Sequence, residues 1–105
     1  MKVMKFGGTS VGSVNGILNV KQIVEAQQEP VIVVVSALSG ITDQLYTTAR
    51  MASEGNTEYT LEYQTMFARH TEIIETVIPE HKIQTVLEEI RLLFNDLSNI
   101  LRGVY

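Results

Sequence analysis

The sequence contains no cysteine and no tryptophan, and only two prolines interrupt its 105 residues. Without thiols there is neither a disulfide framework nor a thiolate metal site, which fits a reducing compartment. No apolar run is long enough to span a bilayer, and the first glycines arrive too early for a secretory leader. Basic residues number eight against twelve acidic ones, and they form no block. The resulting net charge of −4 points away from nucleic acid and anionic membranes as principal partners. What remains is 45% hydrophobic and 19% charged, the composition of one small globular domain or a piece of a larger one. A cytoplasmic protein is expected.

Val3, Met4 and Phe6 make a short apolar run that breaks at Gly7-Gly8, the pattern of a buried strand ending in a turn. Ser13 is placed to cap a helix whose apolar positions are Ile17, Leu18, Val20, Ile23 and Val24, with Gly16 a local weakness. Pro30 disfavours helix in the residue before it, so this helix should fade around Gln27 to Glu29. "VIVVV", residues 31 to 35, is β-branched throughout with no polar alternation. That pattern predicts an interior parallel strand covered on both faces, and strand–helix–strand at this length predicts a right-handed βαβ unit. Thr42 is the expected cap of the next helix, with Asp43 in its first turn. Leu45, Tyr46, Ala49, Met51 and Ala52 would form its buried side, and Gly55-Asn56 its end.

From Glu58 onward the periodicity becomes purely helical. Tyr59, Tyr63, Met66, Phe67, Ile73, Ile74 and Val77 recur at helical spacing up to Pro79. A second run sets Ile83, Leu87, Ile90, Phe94, Leu97, Leu101 and Val104 at alternating steps of four and three, a heptad-like seam. Two such helices with a break at Pro79-Glu80 should fold back as an antiparallel hairpin. The expected class is α/β, with a βαβ segment over residues 1–57 and a helical hairpin over residues 58–105. Two strands leave unpaired edges, so the chain should self-associate through the hairpin helices, through sheet extension, or both.

Both strands end in small, hydroxyl-bearing loops: Gly7-Gly8-Thr9-Ser10 and Ser36-Ala37-Leu38-Ser39-Gly40. Ligands of parallel sheets bind outside the carboxyl ends of the strands, and backbone N–H groups with helix N-termini favour anionic oxygens. Lys5 lies at the mouth of that surface, where an ammonium can neutralise charge on a phosphoryl group in transfer. The P-loop places its lysine after the glycines, and here it precedes them; Gly-Gly-Thr-Ser-Val-Gly is not the Rossmann fingerprint either. On pattern alone a phosphate site and a plain turn both stay open, as does an ordinary surface role for Lys5. His70 and His81 have no companion at ligand spacing, and Glu88, Glu89 and Asp96 read as a solvated helix face. No metal site is predicted within the chain.

"KFGGTSV" (residues 5–11), followed by "VVVSALSGIT" (residues 33–42), resembles the start of the aspartate kinases of the amino-acid kinase family. "LRGVY", residues 101 to 105, is similar to the family as well, though far less specific. The resemblance implies an αβα sandwich of which this chain forms the N-terminal part. It implies that Lys5 is the electrostatic catalyst and that Gly7, Gly8, Thr9 and Ser10 form a first ATP-phosphate loop. Ser36, Ala37 and Gly40 would then shape a second loop, and Thr42 would help hold the substrate. The implied reaction is ATP plus L-aspartate to ADP plus 4-phospho-L-aspartate with Mg2+, opening lysine, threonine and methionine biosynthesis in a homo-oligomeric enzyme. Such enzymes occur alone or fused to homoserine dehydrogenase. The family's Ser-x-Gly-Glu helix start, a distant arginine and a Gly-Gly-Ser-Asp segment are absent from these residues, so a catalytically incomplete fragment is expected. The rival readings are another amino-acid-kinase phosphotransferase and a non-catalytic module that binds a partner through residues 58–104.

Overall fold

Strand β1 (Lys2–Phe6) leads into helix α1 (Val14–Glu25) and strand β2 (Val31–Val35), and helices α2 (Ile41–Ser53), α3 (Tyr59–Val77) and α4 (Glu80–Val104) follow. The computed structural model describes all 105 residues, Met1–Tyr105. The protein is α/β, with a two-stranded parallel sheet and four helices. It divides into two compact units, Met1–Thr42 and Asp43–Tyr105. Most of α2, grouped with the βαβ segment on sequence grounds, therefore lies in the second unit. No helix is long and apolar enough to cross a membrane.

In the first unit β1 and β2 pair in parallel, from Lys2 opposite Val31 to Phe6 opposite Val35. The register is held at both ends. Lys2 N donates to Pro30 O at 3.2 Å, and Ser36 N donates to Phe6 O at 3.1 Å. Gln27 ties the end of α1 to the start of β1, accepting from Lys2 Nζ at 2.8 Å and donating to Ile23 O at 2.8 Å. Ser13 caps α1 as its position predicts: its backbone is extended and its Oγ accepts from Gly16 N at 3.0 Å. The helix ends at Glu25, just ahead of the expected stretch. Two-sided coverage of β2 is not realised, since Ile32 to Val35 are 39–56% exposed. The sheet has two strands and this unit one helix, and one helix can cover only one face.

Helix α2 opens at Ile41, the last but one residue of the first unit, with Thr42 already inside the first turn, so Thr42 is not the cap expected of it. The helix buries Ile41, Thr48 and Ala52 and half-buries Gln44 and Met51, residues that recur along one helical face. Leu45, Tyr46 and Ala49 are instead exposed, Tyr46 at 75%. A helix with apolar residues on two sides buries the side its neighbours select. Thr48 is fully buried, and it is satisfied because its Oγ1 donates to Gln44 O at 2.7 Å. The end of α2 falls as expected: Asn56 N donates to Met51 O at 2.9 Å and Gly55 N to Ala52 O at 3.0 Å, the paired bonds of a Schellman turn.

Helices α3 and α4 pack against one another around Phe94, whose ring meets those of Tyr63, Phe67 and His70 edge-on at centroid distances of 5.1–5.7 Å. Tyr63 OH also donates to Phe94 O at 2.9 Å. The predicted seam on α4 is buried or half-buried from Ile83 through Leu101, and only Val104 is exposed. Ala52, Tyr59 and Leu101 form a buried cluster with Met51, Tyr63 and Leu97 packed on it. By contrast Leu93 and Ile100, on another side of α4, are 64% and 63% exposed. Truncating Leu101 to Ala should therefore cost about 2–4 kcal/mol in urea unfolding, by lost burial and a residual cavity. Leu93→Ala should change stability by less than about 0.5 kcal/mol, as an exposed substitution does.

Candidate functional site

Because Phe6 and Val35 are partners in the ladder, both strands deliver their following loops to one edge of the sheet. In the first loop Gly7 O accepts from Ser10 N at 3.0 Å and from Val11 N at 3.2 Å, closing a tight turn. Val11 is buried and Thr9 and Ser10 are exposed, so the turn anchors on its apolar residue and presents its hydroxyls. In the second loop Ser36 Oγ donates to Ala37 O at 2.7 Å and Ile41 N donates to Leu38 O at 3.0 Å. Gly40 has φ +82, a conformation that side chains disfavour, and it turns the chain directly into α2.

The two loops touch. A Cβ on Gly8 would lie 3.5 Å from Ser36 Oγ and 3.6 Å from Ser39 Cα, which is ordinary contact. A Cβ on Gly12 would lie 2.7 Å from both Gly8 O and Ser39 Cβ, closer than a side chain tolerates. Gly12 is thus where the first loop passes too near the second for any larger residue. It stands in the quoted Gly-Gly-Thr-Ser-Val-Gly run, but the local pattern gave no reason to single it out. Gly16, read as a weakness of α1, is likewise a close approach, since a Cβ there would collide with Ser10 O.

Gly7 behaves differently. Nothing lies within 4 Å of the Cβ position and its φ is not positive, so neither sterics nor backbone geometry within the chain calls for glycine there. The exposed backbone at Gly7 is open to a large approaching group.

Lys5 is exposed, one residue before the end of β1, and its ammonium forms no hydrogen bond or ion pair with the chain. Strand alternation sets it on the face opposite Phe6. Phe6 lines a cavity of about 250 Å³ with Thr9, Ser10, Gly16, Asn19, Val20 and Ile23, on the side of the sheet that α1 covers. Thr9 and Ser10 therefore border the α1 side, while Lys5 starts from the other face of the same strand end. Thr42 is exposed in the first turn of α2, two residues past Gly40. No cluster of three or more His, Asp or Glu side chains could hold a metal ion.

The cap of α1 sits where the first loop ends. Ser13→Ala should destabilise the first turn of α1 by about 1 kcal/mol, with Ser13→Asp retaining most of the cap. Amide exchange at Gly16 and Ile17 would read this out, and unchanged exchange in the alanine variant would show that the Oγ bond carries no weight.

Comparison with known proteins gives this edge its context. The chain is 33% identical over 107 residues to the chloroplastic bifunctional aspartokinase/homoserine dehydrogenase 2 of Arabidopsis thaliana, covering 98% of this chain and 11% of that protein. It is 30% identical to the chloroplastic bifunctional aspartokinase/homoserine dehydrogenase 1 of Zea mays, again over 98% of this chain and 11% of the relative. An aspartokinase of Bacillus sp. (strain MGA3) is 50% identical over 54 residues, 49% of this chain and 13% of that protein. The chain thus spans about a ninth of the length of the bifunctional relatives. The sequence model of the Amino acid kinase family matches residues 1–97, and the chain belongs to that family.

Proposed function

We propose that these residues form part of one catalytic domain of an aspartate kinase, which transfers the γ-phosphoryl group of ATP to the side-chain carboxylate of L-aspartate. The observation that carries this reading is the pair of touching loops at one sheet edge, with open backbone at Gly7 and a free ammonium at Lys5. Backbone N–H groups of Gly7, Gly8 and Thr9, with those of Ala37 and Gly40, would hold phosphate oxygens, while Ser10 and Ser36, whose N–H groups are donated to Gly7 O and Phe6 O, would shape the two loops around them. Thr9 and Ser10, which border the cavity on the α1 side, would add hydroxyl donors. Lys5 would act at the transferring group: as the bond to the β-phosphate oxygen breaks and the bond to the carboxylate oxygen forms, its charge offsets the negative charge on the equatorial oxygens. Thr42 would contact the aspartate. ADP and 4-phospho-L-aspartate leave as products, feeding lysine, threonine and methionine synthesis in the cytoplasm. Magnesium would enter with the nucleotide; the chain's own residues offer no carboxylate cluster for it. The remaining strands and helices of an αβα sandwich, and assembly as a homo-oligomer, belong to the same reading.

The 105-residue chain by itself should show no aspartate-dependent ADP release in a coupled assay, since positioning supplies much of phosphoryl-transfer catalysis and the relatives are about nine times longer. In a full-length enzyme carrying this segment, Lys5→Ala should lower kcat at least a hundredfold, with KM for ATP changing far less, because the charge acts mainly in the transition state. Lost ATP affinity with kcat intact would make Lys5 a ground-state anchor instead. In the same enzyme Gly7→Val should keep Tm within about 2 °C, as a surface change does, while ATP binding falls at least tenfold. Intact ATP binding in that variant would remove the first loop from the site.

A further inference from the structure

Gly12 and Ser39 meet where the two loops touch. Gly12 stands just before the cap Ser13, at the end of the first loop, and Ser39 just before Gly40 in the second. A Cβ on Gly12 would lie 2.7 Å from both Gly8 O and Ser39 Cβ, short of the 3.4 Å at which ordinary contact begins. Its φ is not positive, so the backbone there accepts alanine and only space forbids it. One obstruction is backbone of the first loop, and the other is a side chain of the second. The tightness is local, because a Cβ on Gly8 would meet Ser36 Oγ and Ser39 Cα at 3.5 and 3.6 Å. The contact is defined wholly within residues 8–39.

We infer that Gly12 and Ser39 are a steric pair that sets the spacing of the two loops, and that both are positioning residues for the nucleotide phosphates; this rests on the phosphate-loop reading above. The carbonyl of Gly8 and the N–H of Thr9 belong to one planar peptide unit, so pushing Gly8 O aside turns Thr9 N–H with it. Ser39 shares its own peptide unit with the N–H of Gly40, so pushing Ser39 aside shifts a donor of the second loop. A Cβ at Gly12 would have to drive the loops about 0.7 Å apart to reach ordinary contact. Displacements near 1 Å cost on the order of a hundredfold where function depends on positioning. Bulk at one member of the pair is therefore admitted only as the other gives it up.

In a full-length enzyme carrying this segment, titration calorimetry of ATP on the parent, Gly12→Ala, Ser39→Gly and the double variant tests the pair. Gly12→Ala should weaken ATP binding about tenfold or more. Adding Ser39→Gly to it should recover about threefold or more, whereas the same change in the parent should recover nothing. Two merely destabilising changes predict the reverse, because Ser39→Gly adds freedom to the unfolded chain and should compound the loss. Parent-like ATP binding by Gly12→Ala, or a double variant that binds no more tightly than Gly12→Ala, overturns the pairing. Gly7→Val separates the two possible failures, since a Cβ there meets nothing in the chain. Intact ATP binding in that variant rejects the phosphate-loop reading and the positioning role with it. Weakened binding there, with no recovery in the double variant, rejects the pairing alone.

Discussion

The parallel pairing of β1 with β2 is the constraint on which the candidate site depends. Phe6 opposite Val35 means that two loops separated by a full helix in sequence emerge side by side. A slip of one residue would turn every side chain of one strand to the other face and draw Gly12 away from Ser39. The pairing is pinned beyond both strand ends, by Pro30 at the start and by Ser36 at the finish. Gln27, bonded to both Lys2 and Ile23, adds a tie between helix and strand at the end remote from the loops. Each of these bonds is modest singly. Their common effect is to leave one register in which all are satisfied.

The chemistry follows from what that register places together and what it separates. Thr9 and Ser10 line a cavity against α1, whereas Lys5 projects from the opposite face of the strand whose end they follow. Phosphate oxygens held by backbone N–H groups at the strand ends would sit between these two sets of groups. That arrangement suits a reaction needing donors around a substrate more than an acid–base pair. Among Gly7, Gly12 and Gly16 two kinds are distinguished for physical reasons. Gly12 and Gly16 make room for other parts of the same chain, while Gly7 makes room for nothing in the chain and so is the residue whose glycine character a ligand would explain.

The second unit shows how strong a long periodic signal is, and where it fails. Helix α4 buries the seam spelled by Leu87, Phe94 and Leu101, and Phe94 organises three rings of α3 around itself. Helix α2 is shorter, and its apolar residues are spread around it. Leu45 and Tyr46 are as hydrophobic as the residues actually buried, yet Thr48 is fully buried while Tyr46 stands in water. Thr48 can be buried because its hydroxyl is satisfied by its own helix, so its desolvation costs little.

The amino-acid sequence by itself determined what depends on neighbours in the chain. A β-branched run makes β2, Ser13 caps α1, Gly55-Asn56 ends α2, and a repeat of four and three residues lays out the seam of α4. The two loop motifs also identified the family, because they combine residue types that turn chemistry alone does not require. Tertiary structure decided the rest. It started α2 at Ile41, where the φ of Gly40 bends the chain, and so moved Thr42 from cap to first turn. It made Gly12 a contact between loops, left β2 exposed where full cover was expected, and chose which side of α2 to bury. Local propensity is set over a few residues, whereas burial and close approach depend on which distant surfaces arrive, and no single segment of a sequence contains both.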